Sequence, residues 1–201
     1  DFYGFHQINS TKIGVLVADT SGHGIPSAII SSMVKIAFSL QKPYTKNPAL
    51  LLEGTNNMLK GNLEFQYLAA SYIFVDTEEQ KLIHANAGHL PLLILRQKEQ
   101  FIQKVKPEGT IIGPFDEINV ENVEVPLEKG DRVIIFTDGI TEAVTPDGQF
   151  FGYDQFYGFI EQNRNKSGSE LISDLMINLR QWTHKEKEFD DDITMVVLDI
   201  E

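Results

Sequence analysis

The sequence predicts an α+β fold built from mainly antiparallel sheets covered by helices. Most apolar runs of strand length are separated by short turns, which is typical of antiparallel pairing. The predicted helices come in two pairs, a pattern typical of layers that cover sheet faces. The chain has 201 residues, of which 42% are hydrophobic, and this is enough for one well-formed core. We therefore expect residues 1–201 to form a single domain.

The chain opens with two predicted strands, at 2–8 and 12–19, joined by a polar turn. If these strands pair symmetrically about Ser10, Asp1 lies directly opposite Asp19. Two facing carboxylates repel each other unless a cation neutralises them. The pairing is therefore a physical reason to expect a metal ion at this position.

Four later segments carry apolar residues at helical spacing. The predicted helices span 25–40, 48–60, 153–163 and 168–184. Asn47 is placed to cap the second helix and Pro48 to begin it, while Ser167 or Ser169 is placed to cap the fourth. The remaining strands are predicted at 67–76, 81–86, 91–96, 100–105, 119–125, 131–137 and 193–200.

The composition restricts the classes of function. The formal net charge is −12 and the sequence contains no Lys/Arg run, so we expect no nucleic-acid partner. The chain has no cysteine, which excludes disulfides and thiolate catalysis and fits a reducing, cytoplasmic location. No apolar run approaches membrane-spanning length, so we expect no direct membrane contact. Because the chain begins without Met and almost inside a strand, we expect it to be the C-terminal part of a longer sensor protein.

Acidic residues stand at the ends of several apolar runs, namely Asp1, Asp19, Asp138 and the run 190–192. A carboxylate at a strand end can face a cleft while the strand itself stays buried. Several such carboxylates together require cations, and oxygen ligands favour Mg²⁺ or Mn²⁺. The pattern predicts one or two of these ions, and hence phosphoryl chemistry.

Each acidic motif also has a simpler interpretation. Asp19 leads into a glycine-bearing turn before a helix, which suits close approach of a phosphate but is also typical of an ordinary tight turn. Asp138 is followed by Gly139, and this dipeptide is often only a turn. Asp190 is interpreted as solvated, whereas Asp191 leads into a buried strand and is interpreted as a metal ligand.

The histidines leave two interpretations open. His23 and His89 lie in turns, where each is either a functional group, such as a catalytic acid, phosphate contact or metal ligand, or a structural side chain. His6, His84 and His184 have no supporting context and are interpreted as structural. No two histidines have the helical spacing of a zinc site, so zinc is not expected.

Five blocks in order resemble the SpoIIE-type bacterial branch of the type 2C (PPM) metal-dependent protein serine/threonine phosphatases. They are 1–3, 17–24, 86–91, 136–143 and 191–197, and they span essentially the whole chain. The resemblance implies a four-layer α-β-β-α sandwich of two mainly antiparallel sheets flanked by helices.

Carried over by position, the resemblance also implies a site for two Mn²⁺ or Mg²⁺ ions. Asp19 would bridge both ions and the carbonyl of Thr20 would add a ligand. Asp138 and Asp191 would complete the coordination of the second ion, and Asp1 would bind metal directly or through water. Asp19, Asp138 and Asp191 are accordingly the predicted catalytic residues.

The activity implied by the resemblance is hydrolysis of phosphoserine or phosphothreonine on a signalling protein, such as an anti-sigma-factor antagonist, by a water activated between the two ions. The alternative is a pseudophosphatase module that binds a phosphorylated partner without turnover. A third interpretation is a hydrolase of small phosphate esters or of nucleic acid, although the acidic charge disfavours nucleic acid. A shift of the helices at 25–61, driven by an upstream domain or by a contact in a homodimer, is one way to move Asp19 and switch metal binding.

Overall fold

The structure is a computed structural model that describes residues 1–22, 24–63, 65–184 and 189–201. In chain order the elements are β1 Phe2–Gln7, β2 Lys12–Thr20, α1 Ile25–Leu40, α2 Pro48–Leu59, β3 Leu68–Asp76, β4 Lys81–Ala87, β5 Leu92–Arg96, β6 Phe101–Val105, β7 Val123–Pro126, β8 Arg132–Phe136, α3 Gly152–Gln162, α4 Gly168–Thr183 and β9 Met195–Asp199. A short 3₁₀ helix at Lys42–Tyr44, which was not predicted, links α1 to α2. The predicted α+β class with antiparallel sheets is confirmed. Over the described ranges, no helix has both the length and the apolar character that crossing a bilayer requires.

The first of two compact units comprises Asp1–Pro91 and Lys106–Glu128. Its five-stranded sheet has the order β1-β2-β3-β4-β7, and every neighbouring pair is antiparallel. The β1–β2 register pairs Phe2 with Ala18 and Gln7 with Ile13. The predicted symmetry of this hairpin about Ser10 is therefore confirmed.

Helices α1 and α2 form a hydrophobic core with one face of this sheet. The cluster contains small sheet residues such as Ala18 and Ala70, and Gly4 of β1 leaves room for Phe38 of α1, since a Cβ there would lie 2.7 Å from Cε1 of the ring. Tyr72 is fully buried in the same cluster, and its hydroxyl donates to the carbonyl of Thr45 at 3.0 Å. This bond satisfies the only polar group that the Tyr72 ring brings into the core, while burial raises the pKa of the phenol.

Two of the predicted helix caps are confirmed. Asn47 accepts a hydrogen bond from the amide of Leu50 at 3.3 Å, and Pro48 begins α2. Ser167, and not Ser169, caps α4. Its hydroxyl accepts from the amide of Glu170, whose carboxylate in turn accepts from the amide of Ser167 at 2.9 Å, so the two residues form a capping box.

The strand predicted at 119–125 is wrong in its first half, because β7 starts only at Val123 and Val120 forms an isolated bridge with Gly109. Asn122 has a different role. Its amide donates to the side chain of Asn47 at 2.7 Å and its oxygen accepts from the backbone of Ala49 at 2.8 Å. The segment is thus held by the start of α2, a tertiary contact that alternation of apolar residues cannot reveal.

The second unit comprises Leu92–Val105 and Lys129–Glu201. Its four-stranded antiparallel sheet has the order β6-β5-β8-β9. Both remaining helices pack on this sheet through buried apolar residues: Phe156 of α3 lies with its ring centroid 4.7 Å from that of Phe136 in β8. Helix α4 buries a stripe at four-residue spacing, formed by Leu171, Leu175 and Leu179.

Of the three histidines interpreted as structural, His6 and His84 are buried, whereas His184 is exposed. His6 stacks on Phe38 with ring centroids 3.8 Å apart, and His184 ends α4 in the left-handed conformation. His84 of β4 is fully buried, and its Nε2 lies 2.9 Å from the hydroxyl of Ser71 on β3. Burial lowers the pKa of His84 to about 3.

Replacing Gly14 with alanine is expected to destabilise the first unit. A Cβ at this position would overlap the Tyr72 hydroxyl and lie 2.7 Å from its Cζ, so the ring would have to leave its hydrogen bond to Thr45. Overpacking of this kind costs about 1–3 kcal/mol in the free energy of unfolding. Urea denaturation measures the change. Gly158→Ala in α3 is the matched control, because a Cβ there meets nothing within 4 Å. Equal stability of Gly14→Ala and wild type would contradict the packing of Tyr72.

Stability is expected to fall as the pH drops from about 6.5 towards 4. Burial lowers the pKa of both His84 and His89, to about 3 and about 4, while the unfolded chain protonates near 6.5. The unfolded state therefore binds more protons in this window, so the free energy of unfolding rises with pH and is fully present above about 6.5. Urea denaturation at several pH values, with NMR titration of the imidazoles, tests this. A folded-state pKa near 6.5 for both rings would refute it.

Candidate functional site

The predicted apposition of Asp1 and Asp19 is supported by the backbone. The β1–β2 register pairs Phe2 with Ala18, and continuing it by one residue places Asp1 opposite Asp19. In β2, residues from Val15 to Ala18 are fully buried, whereas Asp19 is partly exposed. The carboxylate of Asp19 thus stands where a buried strand meets solvent, as a metal ligand at a strand end should.

The turn after Asp19 is held by residues far away in the sequence. The amide of Ser21 donates to the carbonyl of Tyr67 at 3.0 Å, and the amide of Tyr67 donates to the Ser21 hydroxyl at 2.9 Å. The side chain of Gln66 donates to the Ser21 carbonyl at 2.6 Å. Gly22 then takes a φ of 87°, which favours glycine. The two anchoring residues were not predicted, because nothing local to them indicates a partner 45 or 46 residues earlier.

Thr20 ends β2 and lies almost completely buried, with 4% of its surface exposed. Its hydroxyl oxygen is buried and has no hydrogen-bond partner among the described residues. Buried polar atoms are normally paired, so the carboxyl end of β2 is a place where an additional polar group would be accommodated. His23, the other candidate in this turn, lies outside the described residues.

In the second unit, Asp138 follows β8 and Asp191 precedes β9. The β8–β9 ladder continues past its last pair, because the amide of Thr137 donates to the carbonyl of Thr194 at 3.0 Å and the amide of Thr194 donates to the Thr137 hydroxyl, also at 3.0 Å. Antiparallel pairing therefore brings Asp138 and Asp191 to the same end of adjacent strands.

Gly139 allows the two acidic segments to approach closely. A Cβ on this residue would overlap the carbonyl oxygen of Asp192 and lie 3.0 Å from its carbonyl carbon. Glycine is thus required here for a steric reason. From the sequence alone, it could be interpreted as part of an ordinary turn. The turn itself is closed by the amide of Glu142, which donates to the Asp138 carbonyl at 2.7 Å.

The donor set fits a hard divalent cation. All predicted ligands are carboxylate or carbonyl oxygens, which suit Mg²⁺ or Mn²⁺ and do not suit a soft metal. The carboxylates are also accessible, since Asp138 is partly exposed and Asp191 is exposed. Within neither unit do the described residues bring together three or more His, Asp or Glu side chains that could hold a metal ion. Each unit instead supplies a pair of aspartates, Asp1 with Asp19 and Asp138 with Asp191.

His89 lies inside a turn that it helps to close. Its amide donates to the Asn86 side chain at 2.7 Å, and the Asn86 amide donates back to the His89 carbonyl at 3.0 Å. The residue is 3% exposed, and burial lowers the pKa of its ring to about 4. Its Nε2 is buried and has no hydrogen-bond partner among the described residues, so both interpretations of His89 stay predictions.

Comparison with known proteins agrees with this arrangement. The chain is 26% identical over 199 residues to the phosphoserine phosphatase RsbU of Bacillus subtilis. The alignment covers 98% of this chain and 58% of RsbU. The chain therefore spans little more than half the length of this curated relative.

Two solved structures share the fold. The SiaA-PP2C domain of Pseudomonas aeruginosa superposes with a TM-score of 0.87 at 23% identity, over 100% of this chain and 80% of that one. RsbX in complex with magnesium superposes with a TM-score of 0.66 at 18% identity, over 97% of this chain and 85% of that one. These likenesses establish the fold.

The family is established by a match that covers nearly the whole chain. Residues 9–201 match the model of the family described as Stage II sporulation protein E (SpoIIE), and the matched range includes Asp19, Asp138 and Asp191. The chain belongs to the SpoIIE family.

Proposed function

We propose that this chain is a metal-dependent protein serine/threonine phosphatase that hydrolyses phosphoserine or phosphothreonine on a signalling protein, such as an anti-sigma-factor antagonist. The observation that carries the proposal is that each unit of this SpoIIE-family chain presents two aspartates at the ends of paired strands. The description of RsbU as a phosphoserine phosphatase supports the same reaction.

The proposed metal ligands are those predicted from the sequence, namely Asp1, Asp19, the carbonyl of Thr20, Asp138 and Asp191. They would hold two Mn²⁺ or Mg²⁺ ions, which supply positive charge to phosphoryl oxygens and lower the pKa of the attacking water. The magnesium complex of RsbX supports a hard divalent cation in this fold.

In the proposed reaction, the protein holds the metal ligands in fixed positions. Asp19 lies at the end of a strand paired on both sides, and the following turn is fastened at Ser21. Asp138 is followed by a closed turn, and Gly139 sets its distance from Asp192. Ligands held this way keep their geometry without reorganisation, which is what electrostatic catalysis requires.

Regulation through α1 is supported by an apolar stripe on that helix. Its members are each more than half exposed and recur at helical spacing: Ile25, Ile29, Ile36 and Leu40. Such a stripe fits a contact with an upstream segment or with a second copy of the chain. We therefore propose, as the sequence predicted, that movement of α1 alters the Asp19 turn. The homodimer, the sensor region and the cytoplasmic location stay predictions.

Asp138→Ala and Asp19→Ala are each expected to lower Mn²⁺-dependent hydrolysis of p-nitrophenyl phosphate at least about a hundredfold. Loss of a residue that only hydrogen-bonds to a metal ligand typically lowers metal affinity or activity about 10- to 100-fold, so loss of a direct ligand should lower it at least as much. Initial rates with and without Mn²⁺ measure the effect, and circular dichroism reports whether the variants fold.

Asp190→Ala is the matched control, because it removes one carboxylate of the same acidic run without removing a proposed ligand. Its activity should stay close to that of the wild type. Retained activity in both Asp138→Ala and Asp19→Ala would overturn the proposed site. A folded wild type that binds a phosphorylated partner at saturating Mn²⁺ without turnover would instead support the pseudophosphatase alternative.

Gly139→Ala is expected to weaken Mn²⁺ binding at least about tenfold, because its Cβ would push the Asp192 carbonyl away and separate Asp191 from Asp138. Isothermal titration of Mn²⁺ into the metal-free protein measures the affinity. Gly158→Ala, which meets no neighbour within 4 Å, should bind Mn²⁺ as the wild type does. Unchanged affinity in Gly139→Ala would show that the close approach of the two segments is unimportant for the metal.

A further inference from the structure

A second polar site lies within the second unit, at the opposite end of β8 and β9 from the acidic segments. It is an open cavity of about 480 Å³. Its lining includes Arg132 at the start of β8, Asp199 at the end of β9 and the segment 164–166 before α4. Its volume is within the range of small-molecule binding sites. We call it the basic cavity, because four cationic side chains and two carboxylates line it in a chain whose net charge is −12: Lys129, Arg132, Arg164 and Lys166, with Asp199 and Glu201.

Arg132 is nine-tenths buried, and only part of its guanidinium is satisfied. Its Nε donates to Asp199 at 2.5 Å and its Nη2 donates to the carbonyl of Lys166 at 2.7 Å. Its Nη1 is buried and has no acceptor among the described residues. A buried charged donor without an acceptor is costly, so an acceptor at this position would be stabilising.

Arg164 lines the same cavity and also has a guanidinium nitrogen that the described residues leave unsatisfied. Its Nη1 is also buried, and it too finds no acceptor in the described part of the chain. Two guanidinium groups that face one space repel each other unless an anion lies with them. The Asp199 carboxylate is already engaged, since one oxygen accepts from Arg132 and the other accepts from the amide of Gly168 at 3.3 Å.

We propose that the basic cavity binds a small phosphate-bearing molecule, whose oxygens accept hydrogen bonds from the guanidinium groups of Arg132 and Arg164. A phosphate group offers several acceptor oxygens and up to two negative charges, and the planar guanidinium matches its geometry. Lys129 adds positive charge at the same cavity, whereas the ammonium of Lys166 is paired with Asp174 at 2.6 Å. The volume exceeds that of a phosphate group alone, so the cavity has room for the organic part of a phosphate ester.

This site is separate from the proposed catalytic one. Arg132 and Asp138 are six residues apart on one extended segment, which corresponds to about 20 Å at the rise of a β-strand. None of the proposed metal ligands lines the basic cavity. Phosphate binding here therefore requires no metal ion, and the proposal does not depend on the phosphatase activity.

The experiment is isothermal titration of inorganic phosphate, and separately of glycerol 3-phosphate, into the whole chain in EDTA at constant ionic strength. Without metal, phosphate held at the proposed catalytic site does not contribute. We expect saturable binding with one site per chain, and Arg164→Gln to weaken it about tenfold or more, since hydrogen bonds to charged groups are the stronger ones. Tighter binding of glycerol 3-phosphate would identify an ester as the ligand, and equal binding would identify free phosphate.

Lys35→Gln, an exposed cation on α1, is the control for loss of one charge and should bind as the wild type does. Arg132→Gln is the second variant and should also weaken binding. Because it loses the pair with Asp199, its fold is checked by circular dichroism, and Arg164→Gln carries the test if it unfolds. Absence of binding by the folded wild type would overturn the proposal. So would wild-type affinity in Arg164→Gln, or tighter binding of citrate than of either phosphate ligand.

Discussion

Carboxylates at the ends of buried strands must lie close to solvent or to a cation, and this constraint limits where Asp19 and Asp138 can stand in the two sheets. Asp19 and Asp138 each come directly after strand residues that are fully buried, so one step earlier their charges would lie in the core. Antiparallel registry places Asp1 opposite Asp19, and it brings Asp191 to the same strand end as Asp138, so the carboxylates within each set repel each other. Cations at the proposed site would remove that repulsion, so metal binding there would also raise local stability.

The residues that hold the carboxylates in place act mainly through the backbone. The Asp19 turn is fixed by hydrogen bonds between Ser21 and the chain at 66–67. The Asp138 turn depends on the absence of a side chain at Gly139. Contacts that end on backbone groups restrict both turns, so the proposed ligands would vary less in position than they would on unanchored loops. The proposed site is thereby positioned by the ends of the interior strands β2 and β8, independently of substrate.

Local patterns predicted much of the fold and part of the site. The register of β1 and β2 followed from alternation around Ser10, and the caps at Asn47 and Ser167 followed from residue type. Contacts between distant segments could not be predicted. Asn122 leaves the predicted strand to contact the start of α2, Gln66 anchors a turn 45 residues away, and Arg132 contacts Lys166 across 34 residues. In each case the side chain is ordinary for its local position, and only tertiary structure gives it a partner.

The chain forms its two units from interleaved segments, and this has a consequence for folding kinetics. Along the chain, β7 of the first unit comes after β5 and β6 of the second unit. The partner of β8, which is β9, begins only at residue 195. Pairings of such long sequence separation form slowly, because the closure entropy of the loop is lost before the contacts are gained. During synthesis, one edge of β4 stays unpaired until β7 has been made, and one edge of β8 stays unpaired until β9 has been made. A chain interrupted before residue 195 would retain the open edge of β8, a template for association with other chains.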